Sequence, residues 1–376
     1  MAVKPFIFDS AKTDAFIKFG YEMYDGDENH IPPLKKEMCT RFLPDFTFYQ
    51  KPGNCHRQFL ATAGEKVVGR VSAMSNQDLK DTDGTPVGAI GFFECIDDFA
   101  IARDLLDCSI KWLREDIGLR RVWGPMNFDI WHGYRFMTKG FDQKPFYGEP
   151  YNKPYYPEFF GKYGFIAKYF WDSVEVTGHK NLQKIVAFGE RRYRYLLTEG
   201  YRFEQLNRRQ LMDNLGNFHS VLTRSFRDFT GFTPIPLQEF RQLFEKARYA
   251  FHPELFTLIY NEKNVIVGFA LAILEISDVI RSMNGRYNLL SIFKLFNYRQ
   301  RANRINFYLI GITPEEEKKK SGLGRAIGYF MVHQVLKHGY ETVIFSLMAR
   351  DNRAQKLLGE HVKNPNREYA LFELNL

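Results

Sequence analysis

Cysteine is scarce in this chain, and the few residues present are poorly spaced for any shared role. Among 376 residues there are four cysteines, at positions 39, 55, 95 and 108. No two of them form a Cys-x-x-Cys pair, and no histidines accompany them at zinc-finger spacing. This pattern argues against a disulfide scaffold and against a metal site. We therefore expect a protein of the reducing cytoplasm.

Long apolar segments are also missing. The longest apolar run, Val265–Leu274, is far shorter than the roughly 20 residues that span a bilayer. The opening residues, MAVKPFIFDS, have no apolar core of the kind that a secretory signal carries. The sequence therefore predicts an intracellular protein with no membrane span.

Several nucleotide-binding and catalytic patterns are absent as well. There is no Gly-x-x-x-x-Gly-Lys-Ser/Thr loop for a nucleoside triphosphate. Gly324 is followed by Gly328, one residue too far for the Gly-x-Gly-x-x-Gly loop of dinucleotide-binding proteins. No Ser-His-Asp or Cys-His set can be recognised, which argues against enzymes that depend on such a set.

The chain is instead rich in aromatic residues and in positive charge. The chain has 36 Phe and 21 Tyr, and aromatic residues make up 16% of it. The formal net charge is +8. Aromatic side chains build apolar binding clefts as well as cores. The bases form short, dispersed clusters such as Arg191-Arg192 and Lys318–Lys320, as on many soluble surfaces. Polyanionic cofactors fit this charge too, and nucleic-acid binding is the less favoured alternative.

One pattern of elements occurs twice along the chain. Each half reads as strand, helix, β-hairpin, strand, helix and strand, with a single helix expected over residues 211–226 of the second half. Three landmarks recur at separations of 197, 199 and 200 residues: Phe6 with Phe203, Gly69 with Gly268, and Asn152 with Asn352. Repetition of this kind predicts two copies of one α/β domain with a mixed sheet. We place them at residues 1–176 and 201–376, joined by a helix within 177–200. The alternative is one large sheet with coincidental spacing.

A charged, glycine-containing loop distinguishes the second copy. The stretch EEEKKKSGLGRAIG covers residues 315–328 and leads into an apolar helix. A helix that begins near Gly322 leaves its first N–H groups unpaired, with partial positive charge behind them. Glycines allow an anion to approach the backbone closely, and Lys319, Lys320 and Arg325 add charge around it. The loop therefore predicts a phosphate site. The alternative is a tight turn with solvated lysines.

The second half resembles the GNAT acyltransferase family. That family carries Arg/Gln-x-x-Gly-x-Gly/Ala between its fourth strand and third helix, and Lys319–Gly324 follows this pattern with lysine at the first position. Gly311–Pro314 is similar to the family's Val-x-Pro at the end of the fourth strand. Asn352 follows a strand, like the asparagine at the start of the family's fourth helix. The resemblance covers residues 200–376 well, and the first half follows the same order of elements without the loop.

The resemblance implies acetyl-CoA or a longer acyl-CoA as co-substrate and an amine, on a small molecule or a peptide, as acceptor. In the family, backbone groups of the fourth strand bind the pantetheine arm where the fourth and fifth strands separate, and the glycine loop binds the pyrophosphate. Carried over, the cofactor-binding residues are Ile310, Gly311, Ile312, Lys319, Lys320, Ser321, Gly322, Leu323, Gly324, Arg325 and Asn352.

The first half departs from the family at the loop. After its fourth strand come Asp97 and Asp98, with no glycine, where the pyrophosphate would lie. Like charges repel, so we expect no coenzyme A in this half. Its expected role is to shape the acceptor site or to support the second half.

The resemblance does not include the family's usual catalytic side chain. The family often uses a Tyr seven residues after the helix-four Asn as its general acid, and Gly359 stands there in this chain. Tyr308 could replace it as an acid, or it could simply line the cleft. Glu275 could act through water as a base, or it could be a solvated strand end. The missing Tyr leaves open a non-catalytic acyl-CoA-binding or regulatory protein.

A further segment of the first half is rich in aromatic residues, Gly and Pro. It runs from Trp123 to Tyr156, and its composition predicts no regular structure. A loop of this length in a compact domain is usually functional or disordered, and its aromatic content argues against disorder. Two interpretations stand: a packed loop, or an apolar wall for an acyl chain or acceptor.

Overall fold

A computed structural model describes most of the chain. The described residues are 1–247, 251–285, 302–350 and 363–376, together with residues 294, 295, 297, 298, 355 and 358. Within them, all strands belong to a single mixed sheet.

The first half supplies seven strands and five helices among the described residues. In chain order they are β1 (Ala2–Phe6), α1 (Ser10–Glu22), α2 (Lys35–Thr40), α3 (Thr47–Gln50), β2 (Cys55–Ala63), β3 (Lys66–Lys80), β4 (Pro86–Cys95), α4 (Phe99–Lys111), β5 (Arg121–Gly124), β6 (Phe136–Lys139), α5 (Tyr155–Tyr163) and β7 (Ile166–Thr177). A π-helical turn, Trp112–Asp116, extends α4.

The second half repeats this order after a long helix, α6 (His179–Thr198). Its elements are β8 (Arg202–Gln205), α7 (Arg208–Asp213), α8 (Leu215–Phe226), α9 (Leu237–Ala247), β9 (Phe251–Tyr260), β10 (Ile266–Leu274), α10 (Ser277–Ser282), β11 (Arg304–Ile312), α11 (Pro314–Lys318), α12 (Leu323–Lys337), β12 (Thr342–Ala349) and β13 (Arg367–Asn375).

The two halves exchange strands at the centre of the sheet. The strand order is β1-β2-β3-β4-β5-β13-β7-β12-β11-β10-β9-β8, with β6 pairing on β13. Strand β13 lies against β5 of the first half, and β7 lies against β12 of the second half. Strands β7 and β13 occupy equivalent places in the two copies. The order of equivalent strands is therefore the same whether it is counted from β1 or from β8. The halves are therefore related by an approximate twofold axis between β7 and β13.

The repeated glycines mark equivalent places in the two copies, where a helix crosses the third strand. A Cβ on Gly69 would lie 2.7 Å from Leu105 of α4. A Cβ on Gly268 would lie 3.1 Å from the Gly311 carbonyl oxygen and 3.6 Å from Leu323 of α12. In both copies the glycine lets the helix or the neighbouring strand pack closely on the sheet.

The first-half asparagine of the repeat fastens β6 to the start of α5. The Asn152 side-chain oxygen accepts from the Met137 N–H at 2.7 Å, and its amide donates to the Met137 carbonyl at 3.3 Å. Its partner in the repeat, Asn352, lies outside the described residues, so its expected role in cofactor binding stays a prediction.

Two expectations about regular structure were wrong. The single helix expected over residues 211–226 is broken at Asn214, whose φ of −98° and ψ of 11° end α7 before α8 begins. The apolar spacing continues across the break, so the pattern alone gave no sign of it. The segment Trp123–Tyr156 contains regular structure after all, because β6 pairs with β13 from the far end of the chain.

Buried aromatic rings fix the start of that segment against the first-half strands. Phe128 is fully buried, and its ring centroid lies 5.3 Å from that of Phe92 and 5.1 Å from that of Phe46. Full burial of such a side chain contributes roughly 1.5–3 kcal/mol. This packing holds the segment in place on the side that faces the second half.

None of the helices in the described ranges is both long enough and apolar enough to cross a lipid bilayer.

Candidate active site

Strands β11 and β12 separate halfway along their length. They pair in parallel only from Arg304–Phe307 with Thr342–Phe345. Beyond Phe307, β11 stays with β10, where Gly311 pairs with Phe269. Strand β12 stays with β7, where Ala349 pairs with Trp171. Among the described residues, the edge of β11 that faces β12 therefore has no strand partner from residue 308 onward.

Side chains brace the point where the strands part. The Ser346 hydroxyl donates to the Asn306 side-chain oxygen at 2.6 Å and lies 3.1 Å from the Phe307 carbonyl oxygen. Leu347 has a φ of 54°, which is unfavourable for a branched side chain. Its N–H donates to the Ser173 hydroxyl at 2.9 Å, which helps to hold this conformation. The opening is thus part of the folded backbone.

The equivalent place in the first half is closed. Strands β4 and β5 pair at Gly88–Val122 and Ala89–Trp123, and the chain after β5 then continues along β4. The Met126 N–H donates to the Ile90 carbonyl at 2.8 Å, and the Asn127 side chain accepts from the Phe92 N–H at 2.7 Å. Backbone therefore fills the gap that stays open in the second half.

The glycine loop forms an uncapped helix start. Gly322 is the N-cap residue of α12, with a φ of 74° and no side-chain cap. The N–H groups of Arg325 and Ala326 bond to the Gly322 carbonyl at 3.1 and 3.3 Å. Within the described part of the chain, this leaves the N–H groups of Leu323 and Gly324 for an anion.

The first-half helix start is already occupied by its own side chain. The Asp98 carboxylate accepts from the Ala100 N–H at 2.8 Å and caps α4. An acid at this position satisfies the helix start and repels a phosphate. This contrast supports the expectation that only the second half binds coenzyme A.

Helix α6 contributes bases that were not among the predicted cofactor residues. The Arg192 Nε donates to the Ser321 carbonyl, and a Cβ on Gly322 would lie 2.8 Å from that nitrogen. The Arg192 guanidinium also lies over the Tyr195 ring, at 4.6 Å from its centroid. Gly189 lets α6 approach the backbone of Arg325 closely. The Arg191-Arg192 pair was visible in the sequence, but it was interpreted as dispersed surface charge.

A cavity of about 2060 Å³ joins the loop to the separated strands and extends between the two halves. Ligand pockets commonly occupy roughly 300–1,000 Å³, so this one is unusually large. It is lined by most of the predicted cofactor residues: Ile310, Gly311, Ile312, Lys320, Ser321, Gly322, Leu323, Gly324 and Arg325. Lys319 is not among the lining residues, because its ammonium pairs with the buried Glu316 carboxylate at 2.9 Å.

Apolar side chains from both halves form much of the cavity wall. From the second half they include Leu222, Phe226, Phe229, Phe240 and Leu243, and from the first half Ile31, Leu34, Leu43, Ile130 and Trp131. Trp131 is anchored by its Nε1, which donates to the Thr233 carbonyl at 3.0 Å. Part of the aromatic segment thus packs in the core and part lines the cavity, while its role as a wall for an acyl chain or acceptor stays a prediction.

Charge is distributed unevenly along the cavity. Near the loop the lining includes four bases: Arg191, Arg192, Lys320 and Arg325. It also includes two acids, Glu316 and Glu317, and the charge of Glu316 is neutralised by Lys319. The first-half and α9 side carries three carboxylates, Glu37, Asp45 and Glu239, and one base, Arg41. A polyanion fits the loop end, and a cationic group fits the opposite end.

Of the two predicted catalytic residues, only Tyr308 reaches the cavity. Its side chain is 42% exposed and lines the opening just beyond the last β11–β12 pair. Gly148 lies against it, since a Cβ there would be 3.3 Å from the ring. Burial raises the pKa of Tyr308, and the nearby Arg135 opposes this shift.

Glu275 lies behind the cavity wall. It is 1% exposed, and its carboxylate accepts from the Tyr147 N–H at 2.9 Å and the Ser277 N–H at 2.7 Å. Burial raises the pKa of Glu275, while the bonds from Ser277 and Tyr147 lower it. The carboxylate therefore links the turn at residues 147–148 to the end of β10. Glu275 is not the solvated strand end that the sequence left possible.

Glu149 is an acid that sequence reasoning missed. It lines the cavity beside Gly148, and burial raises its pKa to about 7. Arg367 lies 2.9 Å away, the Tyr369 hydroxyl donates to it, and both oppose the shift. No motif surrounds Glu149. Its partners come from β13, more than 200 residues later, so spacing gave no signal.

A second missed group lies at the end of the cavity that the first half and α9 form. The His132 Nδ1 is 2.7 Å from Asp129, and its Nε2 is 3.7 Å from Glu239. Arg41 donates to the His132 carbonyl at 3.3 Å. His132, Glu239 and Arg41 all line the cavity, so polar groups from the first half and α9 meet there.

Comparison with solved structures defines the class of fold. A tandem GNAT protein from the clavulanic acid biosynthesis pathway superposes with a TM-score of 0.53 at 11% identity, over 100% of this chain and 98% of that one. A GCN5-related N-acetyltransferase from Anabaena variabilis gives a TM-score of 0.53 at 8% identity, over 99% and 72%. The chain therefore has the α/β fold of tandem GNAT acyltransferases, which confirms the fold expected from the repeat and the loop.

Two curated proteins are similar in sequence. The bacterial ceramide synthase of Caulobacter vibrioides is 24% identical over 386 aligned residues, which cover 96% of this chain and 94% of that protein. Protein YghO of Escherichia coli is 22% identical over 279 residues, covering 72% of this chain and 68% of that protein. No protein-family profile matches the chain.

Proposed function

We propose that the protein is an acyl-CoA-dependent N-acyltransferase whose acceptor is a long-chain amine. One observation carries the proposal: the opening between β11 and β12 and the uncapped start of α12 face one cavity of about 2060 Å³. The opening suits a pantetheine arm, and the helix start suits a pyrophosphate. The remaining space lies between the halves and is largely apolar in its walls.

Coenzyme A is assigned to the loop end. The N–H groups of Leu323 and Gly324 would receive the pyrophosphate, with Lys320 and Arg192 adding charge. The backbone of residues 308–312 would run beside the pantetheine arm, because no strand in the described part of the chain pairs with its outer edge. This assignment keeps the predicted residues except Lys319, which lies outside the lining, and Asn352, which lies outside the described residues.

The acceptor is assigned to the space between the halves. The matched relative from Caulobacter vibrioides is named a ceramide synthase, and a ceramide is the amide of a fatty acid with a long-chain amino alcohol. Two long chains need an apolar space well above the usual pocket size, as found here. The carboxylates Glu37, Asp45 and Glu239 would attract an ammonium group toward this end.

Acyl transfer needs a neutral amine and a protonated leaving thiol. Glu149 is the proposed proton acceptor, since a carboxylate with a pKa of about 7 can take a proton near neutral pH. Tyr308 is the proposed proton donor to the leaving sulfur, because its hydroxyl remains protonated and lines the opening. The two groups lie near each other, since Gly148 packs against the Tyr308 ring.

Thiol release tests the proposal directly. Purified protein is mixed with palmitoyl-CoA and sphinganine, free thiol is followed over time, and the amide is identified by mass spectrometry. Acetyl-CoA with sphinganine, and palmitoyl-CoA with a hydrophilic amine or a peptide, are the matched comparisons. We expect turnover with the two long-chain substrates at least tenfold above either comparison.

The other readings give different outcomes in the same assays. Tight palmitoyl-CoA binding by calorimetry without thiol release from any amine would instead support a non-catalytic acyl-CoA-binding protein. Turnover confined to acetyl-CoA and a hydrophilic amine would disprove the long-chain acceptor. Salt-dependent RNA or DNA binding without acyl-CoA binding would favour the nucleic-acid alternative.

A further inference from the structure

Three arginines of the described chain are buried, and two of them have clear partners. Arg70 donates to the Phe16 carbonyl at 2.8 Å and lies 3.8 Å from the Glu94 carboxylate. Arg367 lies 2.9 Å from the Glu149 carboxylate. This is the usual rule, because an unpaired buried charge costs several kcal/mol.

Arg135 is the exception. Arg135 is only 9% exposed, and its Nε and Nη1 have no hydrogen-bond partner among the described residues. Burial lowers its pKa, and the groups that oppose this shift are three tyrosine hydroxyls, of Tyr134, Tyr369 and Tyr308. No carboxylate of the described ranges acts on it.

The surrounding structure holds Arg135 in this place. Its guanidinium carbon lies 4.0 Å from the Tyr134 ring centroid and 4.5 Å from that of Trp171. Such rings attract a cation, but this attraction is weaker than the cost of burying the charge. Its backbone has a φ of 71°, and its N–H donates to the Pro125 carbonyl at 2.9 Å. An unfavourable backbone conformation is thus kept at an unpaired buried cation, a combination that is common at functional sites.

Arg135 lies at the opening between β11 and β12. It lines the cavity, and its charge acts on Tyr308, the first residue of β11 beyond the last pair with β12. Trp171, over which it lies, pairs with Ala349 on the other side of the opening. Arg135 therefore lies where a thioester carried along β11 would meet an amine from the space between the halves.

We propose that Arg135 is an anion-binding group at the opening between β11 and β12 and that it binds the negatively charged oxygen on the acyl carbon during transfer. The inference rests on the proposed function for its catalytic part. The amine nitrogen attacks the thioester carbon, a C–N bond forms, and the carbonyl π electrons move onto oxygen beside the guanidinium. The C–S bond then breaks, Glu149 takes the amine proton, Tyr308 protonates the sulfur, and proton exchange through water restores both side chains.

Binding of a simple carboxylate tests the site without any turnover. Decanoate and 1-decanol are the probes, since they share a chain and differ in the charged end. By calorimetry at pH 8, the wild type should bind decanoate at least tenfold more tightly than decanol. Arg135→Met should remove that preference. Arg41→Met is the matched control, because Arg41 lines the same cavity beside Glu37 and Asp129, and it should keep the preference.

Kinetics test the role in transfer. Loss of one oxyanion donor costs roughly 10²–10³ in kcat, so Arg135→Met should show such a loss with KM for palmitoyl-CoA within threefold. Arg135→Lys should retain more activity, and added guanidinium should partly restore Arg135→Ala. Unchanged kcat in a folded Arg135→Met, or a loss that appears only in KM for the amine, would overturn the role in transfer.

The two proposals can fail separately. A carboxylate preference that depends on Arg135, found in a protein that never releases thiol, keeps the anion site and removes the transferase. Turnover in a wild type that binds decanoate and decanol equally removes the anion site and keeps the transferase. If Arg135→Met does not fold, the preference is compared in Arg135→Lys, where it should be kept, and in guanidinium-supplemented Arg135→Ala.

Discussion

Gly322→Ala should remove most of the affinity for coenzyme A while leaving the fold intact. Gly322 has a φ of 74°, where an L residue costs about 1–2 kcal/mol. Its new Cβ would lie 2.8 Å from the Arg192 Nε and 3.1 Å from the Arg192 Cγ, so the arginine must move away from the loop. A lost charge-assisted contact is worth about 1.5–3 kcal/mol. The lost contact predicts a decrease in affinity of roughly tenfold to a hundredfold, whereas the backbone strain lowers the stability of the folded protein.

Gly216→Ala is the matched control, because Gly216 is not among the residues that line the cavity. Nothing lies within 4 Å of its Cβ, and the residue lies inside helix α8. We expect affinity within threefold of the wild type. Asp98→Asn in the first half should also leave affinity unchanged, because asparagine still caps α4 and no phosphate binds there. Calorimetry with acetyl-CoA measures all three, and circular dichroism confirms folding.

The reasoning fails under either of two results. A folded Gly322→Ala that binds acetyl-CoA as tightly as the wild type would show that the helix start is not the phosphate site. Loss of binding in Asp98→Asn, with binding retained in Gly322→Ala, would place the cofactor in the first half.

Three further predictions concern single side chains. Lys320→Ala should weaken acetyl-CoA binding roughly tenfold, whereas Lys319→Ala should mainly lower the thermal midpoint, because it leaves the buried Glu316 without its cation. Tyr308→Phe should lower kcat by roughly 10²-fold with little change in acyl-CoA affinity, measured by thiol release and calorimetry; equal activity would exclude it as the proton donor. Glu149 holds its proton more tightly in the folded state than in the unfolded state, so its contribution to the free energy of unfolding should fall as pH rises from about 4.5 to about 7. Denaturant titrations of the wild type and Glu149→Gln across this range should show a smaller slope in the variant, because other buried carboxylates such as Glu275 contribute in both proteins.

The sequence was sufficient where structure depends on neighbouring residues. The hairpins, the helix after the glycine loop and the start of α12 at Gly322 follow from local spacing and from helix-terminus chemistry. The strand exchange could not be predicted in this way. The apolar alternation of β13 would suit an edge of either half, and which strand it joins depends on contacts far away in the chain.

The same distinction applies to the candidate site. The phosphate loop is one continuous stretch, so its residues could be proposed together. The first half and α6 supply Arg135, Glu149 and Arg192 to the cavity. The role of each depends on residues that are close in space but distant in the sequence. The burial of Glu275 was not predicted for a similar reason, since Tyr147, whose N–H bonds to its carboxylate, comes from the other half.

The exchanged strands have a consequence for how the protein is made. The Trp123 Nε1 donates to the Glu373 carboxylate at 2.8 Å, a contact that spans 250 residues. At about 5–20 residues per second, a ribosome needs roughly 12–50 s to synthesise the chain between them. During that interval β5 has no β13 beside it, and its open edge could pair with another chain. The edge of β5 therefore stays exposed until β13, which lies 250 residues later in the chain, has been synthesised.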